Sequence, residues 1–151
     1  MGVILRAEGM VKEFVMGDVV LRALKGVDFT IDEGEFVVVL GPSGSGKSTM
    51  LNIIGGIETI TDGKLFYRDI AVHELNRSGL TEYRRNYVGF VFQFYNLMPN
   101  LTALENISLA SELSQNALDS AELLAGVGLS ERANYYPAKM SGGQQQRVAI
   151  A

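Results

Sequence analysis

The sequence predicts an α/β fold, and three consecutive features carry the prediction. Phe36-Val37-Val38-Val39-Leu40 is an unbroken apolar run of the kind that a strand buried on both faces requires. The segment Gly41-Pro42-Ser43-Gly44-Ser45-Gly46-Lys47-Ser48-Thr49 follows it directly, with three glycines that allow a tight turn. Met50 to Ile54 then reads as a helix beginning near Gly46, and Gly55-Gly56 stops it.

The remaining elements fall on either side of this unit. Upstream, Val3 to Ala7 and Leu24 to Ile31 have the mixed alternation of strands, and Asp32-Glu33-Gly34-Glu35 reads as a turn. Downstream, Thr61-Asp62-Gly63 is a turn before a strand at Lys64 to Tyr67. Thr81 to Arg85 reads as a short exposed helix, with Arg84-Arg85 on a solvated face. Tyr87 to Phe92 is a second candidate buried strand. Beyond it the pattern turns helical. Thr102 and Glu105 have the spacing of a capping box, Ser120 to Val127 is helical, and a last helix runs from about Gln144. His73, the only histidine, lies in a polar stretch and reads as a surface residue; Tyr135-Tyr136 reads as packing near the helical segment.

Composition narrows the class. The chain has 151 residues, 47% hydrophobic and 20% charged, which suits one globular domain with a sizeable core. Its 13 basic and 17 acidic residues give a net charge of −4, which offers no broad electrostatic attraction to nucleic acid. There is no cysteine, so disulfides and thiolate metal sites are excluded. No apolar run approaches the roughly 20 residues that a membrane-spanning helix needs, so a link to a membrane has to pass through a partner.

The glycine-rich loop satisfies the pattern G-x-x-x-x-G-K-[ST] through Gly41, Gly46, Lys47 and Ser48, and the chemistry it points to is nucleotide phosphate binding. Gly41, Ser43, Gly44, Ser45 and Gly46 bring backbone N–H groups against phosphate oxygens, and the following helix directs its positive end at the same anion. Lys47 supplies a full charge to the β- and γ-phosphates. The Ser48 hydroxyl is suited to ligate Mg²⁺, and Thr49 to bond at the α-phosphate end.

A second motif lies about a hundred residues later. Ser141-Gly142-Gly143-Gln144 alone reads as a helix cap. Together with the helix that follows it, Met140 to Ala151 resembles the signature of the ABC ATPase family, and Phe90-Val91-Phe92-Gln93 resembles that family's glutamine loop. The stretch from Phe94 to Ile107 is similar to the subgroup serving lipoprotein-releasing and macrolide-export systems. The resemblance implies a P-loop NTPase of ABC type: an N-terminal antiparallel β region, a partial parallel core sheet and a helical subdomain, with the C-terminal core strands missing. Residues 1–93 would form the partial nucleotide-binding core, 94–140 the helical subdomain and 141–151 the signature and its helix.

The same resemblance implies the partners and roles. Two such chains would pair head to tail, with Ser141, Gly142, Gly143 and Gln144 facing, in trans, the γ-phosphate held by the other chain. Gln93 would approach Mg²⁺ and the attacking water and sense the membrane partner. Phe14 matches the aromatic residue that stacks on adenine, and Met140 stands where leucine is usual. The expected protein is an energy-coupling, ATP-binding subunit with a membrane permease partner, cytoplasmic and peripheral on the inner face of the cell membrane. A soluble ABC protein acting on nucleic acid and a non-catalytic nucleotide-binding fragment are the alternatives. The family's Asp-Glu strand and later histidine find no counterpart up to Ala151. The expectation is therefore a chain truncated after the signature, as a truncated gene model or gene fragment rather than a split protein completed by a second chain; such a chain is poorly stable, binds Mg-ATP weakly and does not turn it over.

Overall fold

The computed structural model describes residues 2–112 and 117–151. They form two compact units, divided between Val88 and Gly89.

The first unit is organised by two long strands, β1 (Val3–Met16) and β2 (Val19–Asp32), paired antiparallel. They are much longer than their apolar alternation indicated. Register shifts, one of them between Ala7 and Met10, let each strand bend and keep pairing beyond the point where alternation is lost. Gly9 sits within that irregularity at φ 54, and its N–H donates to the Asp28 carboxylate at 2.7 Å. β3 (Asp62–Tyr67) pairs with β1, and the two-residue β4 (Ile70–Ala71) pairs with β3. All of these pairings are antiparallel, and the order across the sheet is β2-β1-β3-β4.

Two helices cover this sheet. α1 (Lys47–Ile54) contributes Ile53, and α2 (Arg77–Tyr87) contributes Leu80 and Tyr83, to a core with Ala7, Met10, Leu24, Leu65 and Val72. The Tyr83 hydroxyl donates to the Ile54 carbonyl at 2.9 Å, and burial pushes its pKa up to about 12. The helix at 81–85 is thus longer than expected and has a buried face. Arg84 is not merely solvated, since its guanidinium donates to the Gly56 carbonyl at 2.6 Å and ties α2 to the end of α1. Arg85, by contrast, pairs with Glu82 at the surface.

His73 corrects another expectation. Only 14% of its side chain is exposed; Nδ1 lies 3.1 Å from the Leu65 carbonyl, and the ring meets Phe66 edge-on at 5.2 Å. A short 3₁₀ turn, Val72–Glu74, folds it back onto β3.

The two expected core strands are not strands among the described residues. Phe36 to Leu40 makes no ladder pairing, and Phe36 and Leu40 are 93% and 85% exposed. Tyr87 ends α2, and Val88 to Phe92 is likewise unpaired. A strand exists only where neighbouring backbone completes its hydrogen bonds. The antiparallel sheet satisfies β1 to β4 among themselves and pairs neither run.

The second unit is helical: α3 (Ala103–Ser111), α4 (Ser120–Gly126) and α5 (Gly142–Ile150). Ala103, Ile107, Leu124, Leu129, Met140 and Val148 form its core. The capping box expected at Thr102 and Glu105 is present, with both reciprocal bonds made. Asn106 is buried, and its amide is fully used. It accepts from the Met98 N–H at 2.7 Å and donates to the carbonyls of Met98, Leu101 and Thr102, fixing the loop that leads into α3. Tyr135 and Tyr136 are more exposed than expected, with the Arg132 guanidinium 4.4 Å from the Tyr135 ring centroid.

Candidate functional site

The loop from Gly41 to Thr49 is shaped by two glycines. Gly46, the N-cap of α1, has φ 90; a β-carbon there would lie 2.6 Å from the Ala23 carbonyl oxygen and 2.9 Å from a Leu24 methyl. Gly41, at φ 156, would place a β-carbon 2.8 Å from Ser45 Oγ. The loop is therefore held against β2 and against itself by bare backbone. The Ser45 N–H donates to the Pro42 carbonyl at 3.3 Å. The Lys47 ammonium folds back over the start of the loop and donates to the carbonyls of Gly41 at 2.9 Å and Pro42 at 2.7 Å.

The start of α1 differs from that of every other α-helix among the described residues. Asn76, Thr102, Asp119 and Ser141 each cap a helix with a side-chain oxygen. Gly46 offers none, and the first turn of α1 carries no acidic residue. The first N–H groups of a helix have no internal partner and stand at the positive end of its dipole. At α1 they are left to an external acceptor, with a lysine as the first helical residue, an arrangement suited to an anion.

This loop forms one wall of a cleft of about 350 Å³. Ser43 to Thr49 line one side, and Phe14, Leu21, Arg22 and Ala23 of the β1–β2 ribbon line the other. The antiparallel pairing of β1 with β2 thus brings Phe14 to the loop across some thirty residues of sequence. Sequence reasoning missed Arg22, whose guanidinium is held by the Glu13 carboxylate at 2.5 Å, its register partner across the ladder. It also missed Lys12, the one buried charged residue among those described. A lysine in an alternating strand, two positions before an aromatic residue, was the available signal.

Gln93 and Ser141 to Gln144 belong to the second unit. Gln93 is exposed in a turn closed by the bond from the Tyr95 N–H to the Phe92 carbonyl at 3.3 Å, so it does not end a strand. Ser141 caps α5. Its oxygen accepts from the Gln144 N–H at 3.3 Å, and the Gln144 side chain accepts from the Ser141 N–H at 2.9 Å. The turn is braced further by Gln145, which donates to the carbonyls of Pro137 and Met140. Met140 is buried in the unit's core. A β-carbon at Gly142 would lie 3.2 Å from the Tyr95 hydroxyl, whereas Gly143 faces open space.

A glycine-built loop at an uncapped helix start, opening on a cleft with an aromatic wall, is an arrangement suited to hold the phosphates of a ligand. The ABC transporter family matches residues 24–151, and the chain belongs to that family. It is 46% identical to an uncharacterized ABC transporter ATP-binding protein, MJ0796, of Methanocaldococcus jannaschii, over 97% of this chain and 66% of the relative. It is 40% identical to the lipoprotein-releasing system ATP-binding protein LolD of Alcanivorax borkumensis, over 98% of this chain and 67% of the relative. A macrolide export ATP-binding/permease protein, MacB, of Marinobacter nauticus is 41% identical over 98% of this chain and 24% of its own length.

Among solved structures, a dimeric post-hydrolysis state of MJ0796 bound to ADP and Pi superposes with a TM-score of 0.87 at 44% identity, covering 97% of this chain and 67% of that one. The expected fold class, an α/β P-loop NTPase of ABC type, therefore stands. The chain spans about two thirds of the length of the curated relatives MJ0796 and LolD. Among the described residues no helix is long and apolar enough to cross a membrane.

Proposed function

We propose that this chain is the ATP-binding, energy-coupling part of an ABC transporter of the exporter or lipoprotein-release type. The observation that carries this reading is the start of α1: glycine backbone, no side-chain cap, no acidic first turn, and Lys47. Gly41, Ser43, Gly44, Ser45, Gly46 and Thr49 surround the phosphates, and Lys47 exchanges its two carbonyl acceptors for phosphate oxygens. Phe14 stacks on the base, which its position in the same cleft supports. The 40% identity with LolD and the 41% identity with MacB support the subgroup.

Mg²⁺ fits the donor set only together with the nucleotide. Among the described residues no group of three His, Asp or Glu is placed to hold a metal. The Ser48 hydroxyl and Gln93, both oxygen donors, would hold it with the phosphates, and the metal would neutralise charge on the transferred group. Gln93 also orients the attacking water. Ser141, Gly142, Gly143 and Gln144 contact the γ-phosphate of a second ATP-binding subunit in a head-to-tail dimer, which the dimeric state of the MJ0796 structure supports. A membrane permease is the third partner and holds the subunit at the cytoplasmic face of the membrane. ATPase activity belongs to the assembly.

The test is equilibrium binding of Mg-ATP to wild-type chain and Lys47→Ala. Loss of at least about thirtyfold in affinity is expected, because removing one partner of a charged, desolvated contact costs several kcal/mol. Equal affinity in both proteins would sink the reading.

A further inference from the structure

We propose that Lys12 is a positioning residue for the nucleotide base: held by Glu58, its ammonium lies over one face of the Phe14 ring and fixes the other face for stacking. The inference deepens the nucleotide-binding reading and rests on it.

Three observations converge. Met10, Lys12 and Phe14 alternate along β1 and so share one face of it. The Lys12 side chain is only 10% exposed, and Nζ stands 4.9 Å from the centroid of the Phe14 ring. That is within the reach of a cation–π attraction. The same Nζ donates to Glu58 Oε1 at 2.8 Å.

Glu58 is itself fixed. Its Oε1 also accepts from the Thr59 N–H at 2.9 Å, and its own N–H donates to the Asn52 carbonyl of α1 at 3.1 Å. The bond from Lys12 and that from Thr59 hold its carboxyl below the ordinary glutamate value. An ammonium taken out of water is costly without such a partner. One residue further along β1, the Glu13 N–H donates to Thr61 Oγ1 at 2.9 Å. The segment leaving α1 thus grips β1 at two consecutive residues, immediately before Phe14.

The consequence is mechanical and electronic. An aromatic ring on a strand near a hairpin end has rotamer freedom that base stacking would have to suppress. An ammonium anchored from the phosphate-loop helix removes part of that freedom in advance. It also occupies one ring face, so a base is left the opposite one. The segment that leaves the helix presenting the phosphate loop therefore also sets the aromatic wall, through Glu58 and Lys12.

The experiment compares two ligands, Mg-ATP and inorganic tripolyphosphate, on wild type, Lys12→Met, Lys12→Arg and Phe14→Ala. Tripolyphosphate has the phosphates but no base, so it also reports whether each variant retains a folded loop. Lys12→Met is expected to weaken ATP about three- to tenfold and to leave tripolyphosphate unchanged. Lys12→Arg restores ATP affinity, and Lys12→Met adds nothing in a Phe14→Ala background. Equal losses for both ligands, or no change in their ratio, would overturn the proposal. A normal ratio in Phe14→Ala would overturn it together with the stacking role of Phe14, while phosphate binding through Lys47 would stand.

Discussion

The starts of α1 and α5 are both glycine-rich, and they solve the same problem in opposite ways. A helix leaves its first N–H groups without internal partners. At α5 the protein satisfies one of them itself: the Gln144 N–H donates to Ser141 Oγ while the Gln144 side chain accepts from the Ser141 N–H, and Gln145 braces the turn from behind. At α1 the cap is Gly46, which has no side chain to give. The difference separates a helix start without a side-chain cap from one whose turn is closed by its own side chains. The second is suited to present Gly142 and Gly143 as a preformed surface.

The largest effect is expected at the uncapped start of α1. Gly46→Ala would combine backbone strain at φ 90 with a β-carbon 2.6 Å from the Ala23 carbonyl. Strain and displacement of this kind cost of the order of 1–3 kcal/mol, so ATP affinity should fall roughly ten- to hundredfold. Titration of the variant with Mg-ATP checks it. Unchanged affinity would mean that the loop does not need its observed shape.

A smaller and different effect is expected at the self-satisfied start. Ser141→Ala removes the cap of α5 and should destabilise the second unit by about 1 kcal/mol, as lost caps do. Denaturant unfolding followed by circular dichroism measures this. Mg-ATP affinity measured at concentrations where the chain is monomeric should be unchanged, because the proposed contact of Ser141 with a nucleotide needs a second subunit, and a loss there would erase the contrast between the two helix starts.

The smallest effect sharpens the contrast among capped helices. α3 closes its capping box with a carboxylate, Glu105, and α5 with an amide, Gln144. The Thr102 N–H and hydroxyl, at 2.7 and 2.9 Å, hold the Glu105 carboxyl below the ordinary glutamate value of 4.5. A carboxylate with a depressed folded pKa contributes stability above its unfolded pKa and loses it as pH falls through the folded one. Thermal midpoints should therefore decline below pH 4.5, and Glu105→Gln should decline less steeply. Identical acid limbs for the two proteins would remove the carboxylate from the account.

Elements whose signals are local were legible from the sequence. Gly55 and Gly56 end α1 where expected, and Thr102 and Glu105 make the expected box, because caps and stops are decided within four residues. Phe36 to Leu40 and Tyr87 to Phe92 went the other way. Apolar, β-branched composition marks a segment that fits a sheet, but pairing requires a neighbour that no local pattern supplies. His73 was misread for the same reason: its polar surroundings in sequence say nothing of the Leu65 carbonyl and Phe66 ring it meets in space.

The G-x-x-x-x-G-K-[ST] loop, the Ser141 to Gln144 helix start and the family to which the chain belongs were legible in the sequence alone. Their chemistry lies in contiguous backbone and a few fixed residue types. Tertiary structure decided what stands opposite that loop. Phe14 and Arg22 reach the cleft only because β1 and β2 pair, and Lys12 meets Glu58 only because the segment after α1 folds back on β1. Contacts separated by some twenty to forty-six residues depend on register and burial, which composition and spacing do not encode.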